Sequence, residues 1–211
     1  AIERDPKSAF LKTELATLYM EKRDTQKAIA LCEEALADEP DSIDVHLLLG
    51  NVYLTIKDYQ NAAKVFRKAI EIEPNHATAH LFLGTIYAET KQYPSAVEVF
   101  QRLLRIDPDH VMGNFYYARL LTEMKRYPEA EAAFQKTLAL KPSFEPVLTE
   151  LAALYERQKK TAAAAQLYRD FIQSNPQRLN IKVKLAELLV RERQFQEAEQ
   201  LLQDVLSAEP R

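Results

Sequence analysis

The sequence predicts an all-α fold made of six successive antiparallel helix pairs. Seven of the ten prolines recur at intervals of 34 residues, a length typical of a repeated helix–turn–helix unit. Between them, large apolar residues follow the four-residue spacing of one helix face, and only three glycines occur in 211 residues. The regularly spaced prolines are Pro6, Pro40, Pro74, Pro108, Pro142, Pro176 and Pro210.

With each of these prolines at position 32 of its unit, the chain forms a single repeat domain over residues 9–211. Residues 1–8 match the tail of a preceding repeat. The chain stops after Pro210 without a polar capping helix, so we expect it to be a segment of a longer protein. The units cover 9–42, 43–76, 77–110, 111–144, 145–178 and 179–211. First helices are predicted near 10–22, 44–56, 78–90, 112–124, 146–158 and 180–192, and second helices near 25–38, 59–72, 93–106, 127–140, 161–174 and 195–208.

Two positions of the repeat always carry a small residue. Small side chains allow two helices to approach closely, so we expect these positions to mark the helix crossing within each pair. The position in the first helix is Ala16, Gly50, Gly84, Ala118, Ala152 and Ala186, and the position in the second helix is Ala28, Ala62, Ala96, Ala130, Ala164 and Ala198.

The turns carry their own signals. A basic residue follows every first helix, where we expect it to interact with the negative end of the helix dipole. Asp24 and Asp58 are predicted to cap second helices, and Pro94 and Pro128 fit the first helical turn. Caps for the next first helix are predicted at Asp41, Asn75, Asp109 and Ser143. The basic residues are Arg23, Lys57, Lys91, Lys125, Lys159 and Arg193.

This pattern resembles the tetratricopeptide repeat in all six units. The second unit shows it most fully, with Leu49, Gly50, Tyr53, Tyr59, Ala62, Phe66, Ala69 and Pro74. The resemblance implies a right-handed superhelical solenoid whose first helices line a concave groove, and a scaffold that binds a peptide or helix of a partner protein there. One further position, near the end of the second helix, is small in the first two units and larger in the later ones. This departure from the pattern predicts altered packing between later repeats. It reads Ala35, Ala69, Leu103, Thr137, Phe171 and Val205.

The groove implied by the resemblance is apolar in its middle and charged toward the C-terminus. An apolar stripe in a concave surface is typical of an interaction site, although the same side chains could instead pack on adjacent repeats. The candidate partner-binding residues are Leu47, Asn51, Leu54, Leu81, Thr85, Met112, Phe115 and Arg119. The same surface would continue with Glu89, Glu123, Thr149, Glu156, Arg157, Val183, Glu187 and Arg191.

Other function classes are less favoured. Some tetratricopeptide domains hold a terminal carboxylate with two lysines, two asparagines and an arginine, but only Asn51 fits that set here. A net charge of −3 and a pI of about 5.9 argue against nucleic-acid binding by a helical-repeat protein. A regulatory or targeting arm of a larger enzyme or envelope-assembly protein stays open as an alternative.

No catalytic motif, cofactor site or metal site is predicted, and the chain is not expected to be an enzyme. Cys32 shares its repeat position with Phe66 and is expected to be buried. The spacing of His46, His76, His80 and His110 follows from the repeat itself, because each occupies a repeat position already seen in its neighbour. No apolar stretch is long enough to cross a bilayer, so no membrane insertion is expected.

Weak end-to-end self-association is predicted. The last helix presents apolar residues, some of which a following repeat would cover, and the first helix is expected to be covered only by the segment around Ile2. The residues of the last helix are Leu201, Leu202, Val205 and Leu206.

Overall fold

The computed structural model describes residues 6–208, and side chains from residue 9 onward. Over that range the chain forms twelve α-helices and no strand, which confirms the all-α repeat fold. The helices are α1 (Pro6–Glu21), α2 (Thr25–Asp38), α3 (Ile43–Thr55), α4 (Tyr59–Ile72), α5 (Ala77–Glu89), α6 (Tyr93–Ile106), α7 (Val111–Glu123), α8 (Tyr127–Leu140), α9 (Glu145–Arg157), α10 (Thr161–Ser174), α11 (Leu179–Arg191) and α12 (Phe195–Ala208).

The six second helices have the predicted bounds, and α3, α5, α7, α9 and α11 each lie one residue earlier than predicted. The larger difference is at α1, which begins at Pro6. Residues 6–8 therefore lie in the first helix. Proline is tolerated there because the first helical N–H has no partner within a helix. Residues 1–5, including Ile2, lie outside the described part of the chain.

The first five repeats each end in a β-turn that contains the regularly spaced proline. The backbone N–H of His76 donates to the carbonyl of Glu73 at 3.1 Å, which places Pro74 at the second position of the turn. Asn75 thus lies inside the turn, and His76 caps α5 by accepting from the N–H of Ala79 at 3.2 Å.

The cap prediction for the first helices was therefore wrong by one residue. The N-caps of α3, α5 and α9 are Ser42, His76 and Phe144, so Asp41, Asn75 and Ser143 do not cap. Asp109 likewise precedes His110, whose Nδ1 accepts from the N–H of Gly113 at 3.0 Å. Within second helices the prediction was right: Asp24 and Asp58 cap α2 and α4, and Pro94 and Pro128 lie in the first turns of α6 and α8.

The six basic residues after the first helices share a left-handed backbone. Their φ angles lie between 58° and 61°, a region that usually favours glycine. At Lys57 the N–H donates to Leu54, and the next N–H, of Asp58, reaches back to Tyr53 at 2.9 Å. This pair of bonds closes the end of α3 and reverses the chain into α4.

The chain divides into two compact units, residues 1–113 and 114–211. In the first unit, α1–α2, α3–α4 and α5–α6 form the helix pairs, while α2 packs on α3 and α4 packs on α5. In the second unit, α9–α10 and α11–α12 are paired, α8 packs on α9 and α10 packs on α11. The six alanines predicted at the second-helix crossing are all buried.

Candidate partner-binding surface

In the first unit, α3 presents the predicted stripe at helical spacing. Leu47, Asn51 and Leu54 lie four and three residues apart, so they share one face, and all three are half-buried. Leu47 and Leu54 pack on one side against the core cluster that contains Phe66 and Leu83. Each of these leucines therefore packs on a cluster shared by its own repeat and the next one, and keeps part of its side chain exposed.

Asn51 is the polar group in this stripe. Its backbone carbonyl accepts from Thr55 Oγ1 at 3.0 Å. Its carboxamide makes no hydrogen bond with any described residue, so the group can donate to and accept from a ligand.

The neighbouring first helix, α5, adds Leu81 and Thr85, which are half-buried and four residues apart. Thr85 donates its hydroxyl proton to the carbonyl of Leu81 at 2.8 Å. It therefore offers a ligand a methyl group and an acceptor oxygen. Met112, also half-buried, is the last predicted surface residue of this unit.

In the second unit, Phe115 departs from the expected surface role. It is only 6% exposed, and its ring contacts those of Tyr116, Phe134 and Phe144 at centroid distances of 5.4, 6.1 and 5.3 Å. Phe144 comes from the turn before α9, so the aromatic cluster ties a turn to a helix pair. Phe115 supports the surface from beneath and is not open to a partner.

Arg119 lies above that cluster and is exposed. Its guanidinium is 6.0 Å from the Phe115 ring centre and 5.9 Å from that of Tyr116, within the range of cation–π attraction. Its Nε is 3.6 Å from a carboxylate oxygen of Glu150 on α9. Glu150 and Tyr116 were not predicted as groove residues, because each lies one residue after a predicted groove position, Thr149 or Phe115.

Further ion pairs connect the first helices of this unit. Arg157 on α9 lies 3.8 Å from Glu123 on α7, and Arg191 on α11 lies 2.7 Å from Glu156 on α9. All of these side chains retain solvent exposure, so each pair contributes only about 0.2–1 kcal/mol. The surface thus carries charges of alternating sign. A bound ligand could replace these ion pairs at a small cost in free energy.

The side chains of His46, His80 and Cys32 make contacts within the fold. The Nδ1–H groups of His46 and His80 donate to backbone carbonyls four residues earlier, at 2.7 and 3.0 Å. Burial lowers the pKa of His80, and burial raises the pKa of the Cys32 thiol to about 12. Cys32 is fully buried, as predicted. Within residues 6–208, no group of three or more His, Cys, Asp or Glu side chains is arranged to hold a metal ion, and no helix in that range is long and apolar enough to span a membrane.

Comparison with known proteins gives one family and many similar folds. The family model described as the cilia and flagella-associated protein 70 C-terminal domain matches residues 7–210. No curated protein matches the sequence. A tetratricopeptide repeat protein from Parabacteroides merdae ATCC 43184 is 18% identical, with a TM-score of 0.74 over 97% of this chain and 81% of that one.

Two further solved structures have the same fold. PilF of Pseudomonas aeruginosa is 22% identical, with a TM-score of 0.72 over 96% of this chain and 94% of that one. YrrB, described as a tetratricopeptide repeat protein with an unusual peptide-binding site, is 19% identical, with a TM-score of 0.66 over 85% of this chain and 93% of that one. At these identities the likeness concerns the fold alone.

Proposed function

The chain belongs to the family of the cilia and flagella-associated protein 70 C-terminal domain, a tetratricopeptide repeat family, and we propose that it binds a peptide segment of another protein. The binding surface of the first unit is the stripe of Leu47, Asn51 and Leu54 on α3 with Leu81 and Thr85 on α5. We call this set the α3–α5 stripe. YrrB is described as having a peptide-binding site, and that description agrees with the proposal.

The observation that carries the proposal is the combination of half-buried leucines with an open carboxamide. Leu47 and Leu54 are held in place by the core cluster, so little side-chain entropy is lost when a ligand covers their remaining surface. Between them, the Asn51 amide can pair with one backbone N–H and one carbonyl of an extended or helical segment. A peptide with apolar side chains on both sides of an accessible backbone matches this arrangement.

The second unit offers a different surface. Arg119 with Glu150, and Arg157 with Glu123, present charges of both signs to solvent. Such a surface suits a partner with mixed charges. It is poorly suited to a nucleic-acid backbone, because each of these arginines already has a carboxylate neighbour and the chain has a net charge of −3.

Selection from a phage-displayed library of random peptides tests the proposal. Peptides enriched on the parent chain should lose at least about tenfold in affinity when Asn51→Lys or Leu81→Glu is introduced, since a charge replaces a contact in a partly desolvated stripe. Gln60→Lys, an exposed amide on the second helix α4, is the matched control and should bind as the parent does. Equal affinity for the parent and both stripe variants would contradict the proposal.

A further inference from the structure

We propose that a cavity between α4 and α5 binds a carboxylate group, carried by an aspartate or glutamate side chain of a partner protein. The cavity lies in the first unit and shares no residue with the α3–α5 stripe. The inference therefore does not rest on where a peptide binds along that stripe. It rests on a comparison of equivalent repeat positions in the two units.

The cavity has a volume of about 250 Å³ and lies where α4 packs on α5. Ala63 and Ile86 give it an apolar wall, and Tyr87 and Arg67 also line it. Among the described residues that line the cavity, Arg67 is the one that carries a charge, and it is exposed. A small open cavity with a single cation suits a ligand with a single negative charge.

Between α8 and α9, the equivalent place holds a carboxylate of the chain itself. The hydroxyl of Tyr155 and the amide of Gln135 donate to one oxygen of Glu131, at 3.1 and 3.3 Å. The ammonium of Lys160 donates to the other oxygen at 3.4 Å. With these donors around it, the Glu131 side chain is 24% exposed. The repeat therefore forms a carboxylate-binding site at this interface.

In the first unit the tyrosine of this site is present and the carboxylate is absent. Tyr87 occupies the repeat position of Tyr155, whereas Ala63 occupies that of Glu131. Alanine lacks the carboxylate-bearing part of a glutamate side chain, and the cavity opens beside Ala63. The Tyr87 hydroxyl makes no hydrogen bond with any residue that the structure describes, so it is free to donate to a ligand.

A third tyrosine at the same repeat position also has an acidic neighbour. Burial, followed by the Glu33 carboxylate on α2, raises the pKa of Tyr53 above its ordinary value. Tyr53 and Tyr155 thus both face a glutamate of the preceding second helix. For Tyr87, residues 9–208 supply no such carboxylate, so an acidic group from another molecule can take that place.

Arg67 adds a positive charge that lacks its partner. At the same repeat position in the second unit, Arg169 of α10 donates two hydrogen bonds to the carboxylate of Glu197 on α12, at 2.7 and 2.8 Å. In the first unit Ser95 stands at the position of Glu197. Arg67 donates one long bond, from Nε to the carbonyl of Ala63 at 3.4 Å, and forms no ion pair with a described side chain. Its guanidinium can therefore bind a carboxylate from outside.

The ligand is assigned to a protein side chain and not to a free small acid. The carboxylates found at the equivalent positions are those of Glu33, Glu131 and Glu197, each a side chain of a folded protein. Arg67 is exposed, and an ion pair at an exposed site contributes little free energy on its own. The carboxylate therefore needs the further contacts of a protein surface to be held there.

Titration of the ¹⁵N-labelled chain with N-acetyl-glutamate amide, at constant ionic strength, tests the site by NMR. The side-chain carboxylate of this probe should shift the Nε–H signal of Arg67 and the backbone amide signal of Ala63, and both shifts should saturate. N-acetyl-glutamine amide, which has the same shape without the charge, should shift neither signal. Arg105 is the matched control, because it is an exposed arginine on α6 that forms no ion pair with a described residue, and its signal should not saturate.

Variants locate the binding groups. Arg67→Gln should weaken binding of the glutamate probe by about fivefold and Tyr87→Phe by about threefold, whereas Arg105→Gln should leave it unchanged. Ala63→Glu places a carboxylate in the cavity, so this variant should melt at a higher temperature than Ala63→Gln. The difference should shrink when Arg67→Gln is added to both.

Three outcomes would overturn the proposal, and all come from the parent chain, so none depends on a variant that folds. One is an equal response to the glutamine probe. Another is an equal shift at Arg67 and Arg105, which would show only a general attraction of anions to arginine. The third is tighter binding of inorganic phosphate than of the glutamate probe, which would indicate a phosphate site.

Discussion

A β-carbon added to Gly50 would lie 2.5 Å from Cζ of Phe66, closer than two side chains can pack. The ring of Phe66 occupies the space that a side chain at Gly50 would need. At the next repeat, Gly84 is less crowded, because a β-carbon there would lie 3.0 Å from the ring of Phe100. In these two repeats the small first-helix position thus leaves room for an aromatic ring from the second helix.

Gly50→Ala is therefore expected to destabilise the chain by about 1–3 kcal/mol through overpacking. Gly84→Ala should cost less, because a smaller movement of the ring relieves the contact and alanine favours the helix by up to about 1 kcal/mol. Urea denaturation measures both. Adding Phe66→Leu to Gly50→Ala should recover part of the loss, and a purely additive double variant would show that the two residues are not coupled.

A substitution at the residues with left-handed backbone after the first helices is expected to stabilise the chain instead. Lys57→Gly is expected to stabilise the chain by up to about 1 kcal/mol, because glycine adopts a φ of 58° without steric cost. Lys64→Gly, in the exposed middle of α4, is the control and should destabilise by about 1 kcal/mol. If Lys57→Gly lowers the melting temperature as Lys64→Gly does, the basic side chain itself matters more than the backbone conformation.

Phe115 is expected to contribute to the stability of the fold. Phe115→Ala should cost about 3–5 kcal/mol, because it removes a buried ring that contacts three others. Tyr116→Ala should cost less, since that ring is half-buried. Chemical denaturation of the two variants distinguishes these roles, and similar small losses for both would contradict the burial of Phe115.

Acidification should destabilise the chain partly through His80. Burial lowers the pKa of His80 below its ordinary value of 6.5, so the unfolded chain binds this proton more readily than the folded chain. The stability from neutral His80 is complete above pH 6.5 and is lost as the pH falls through the lowered pKa of the folded state. The drop in melting temperature on acidification should be smaller in His80→Gln than in the parent, and an unchanged drop would count against this role.

The sequence predicted the fold well because the repeat supplies the same information six times. The second helices were placed correctly, since aspartate caps and first-turn prolines mark where they begin. The first helices were shifted by one residue, because a histidine ring nitrogen at His76 caps in place of Asn75, and imidazole is rarely read as a cap.

The candidate site was harder to predict because its members depend on single residues that break the repeat. Phe115 is buried by Phe144, and the same turn position holds Ser42, His76, His110 and Arg178 in other repeats. Arg119 forms an ion pair with Glu150, and no repeat position in the sequence marks Glu150 as its partner. The basic residues after the first helices were interpreted through the helix dipole. Their left-handed backbone could have been inferred only from their fixed position two residues after the end of each first helix.

The most direct measurement of the central claim is methyl and side-chain amide NMR of the chain titrated with a peptide selected from the random library. Binding at the α3–α5 stripe should shift the methyl signals of Leu47, Leu54 and Leu81 and the carboxamide signal of Asn51. The methyl signals of second-helix leucines such as Leu36 and Leu104 should stay in place. Shifts confined to the second helices, with the stripe unchanged, would contradict the account.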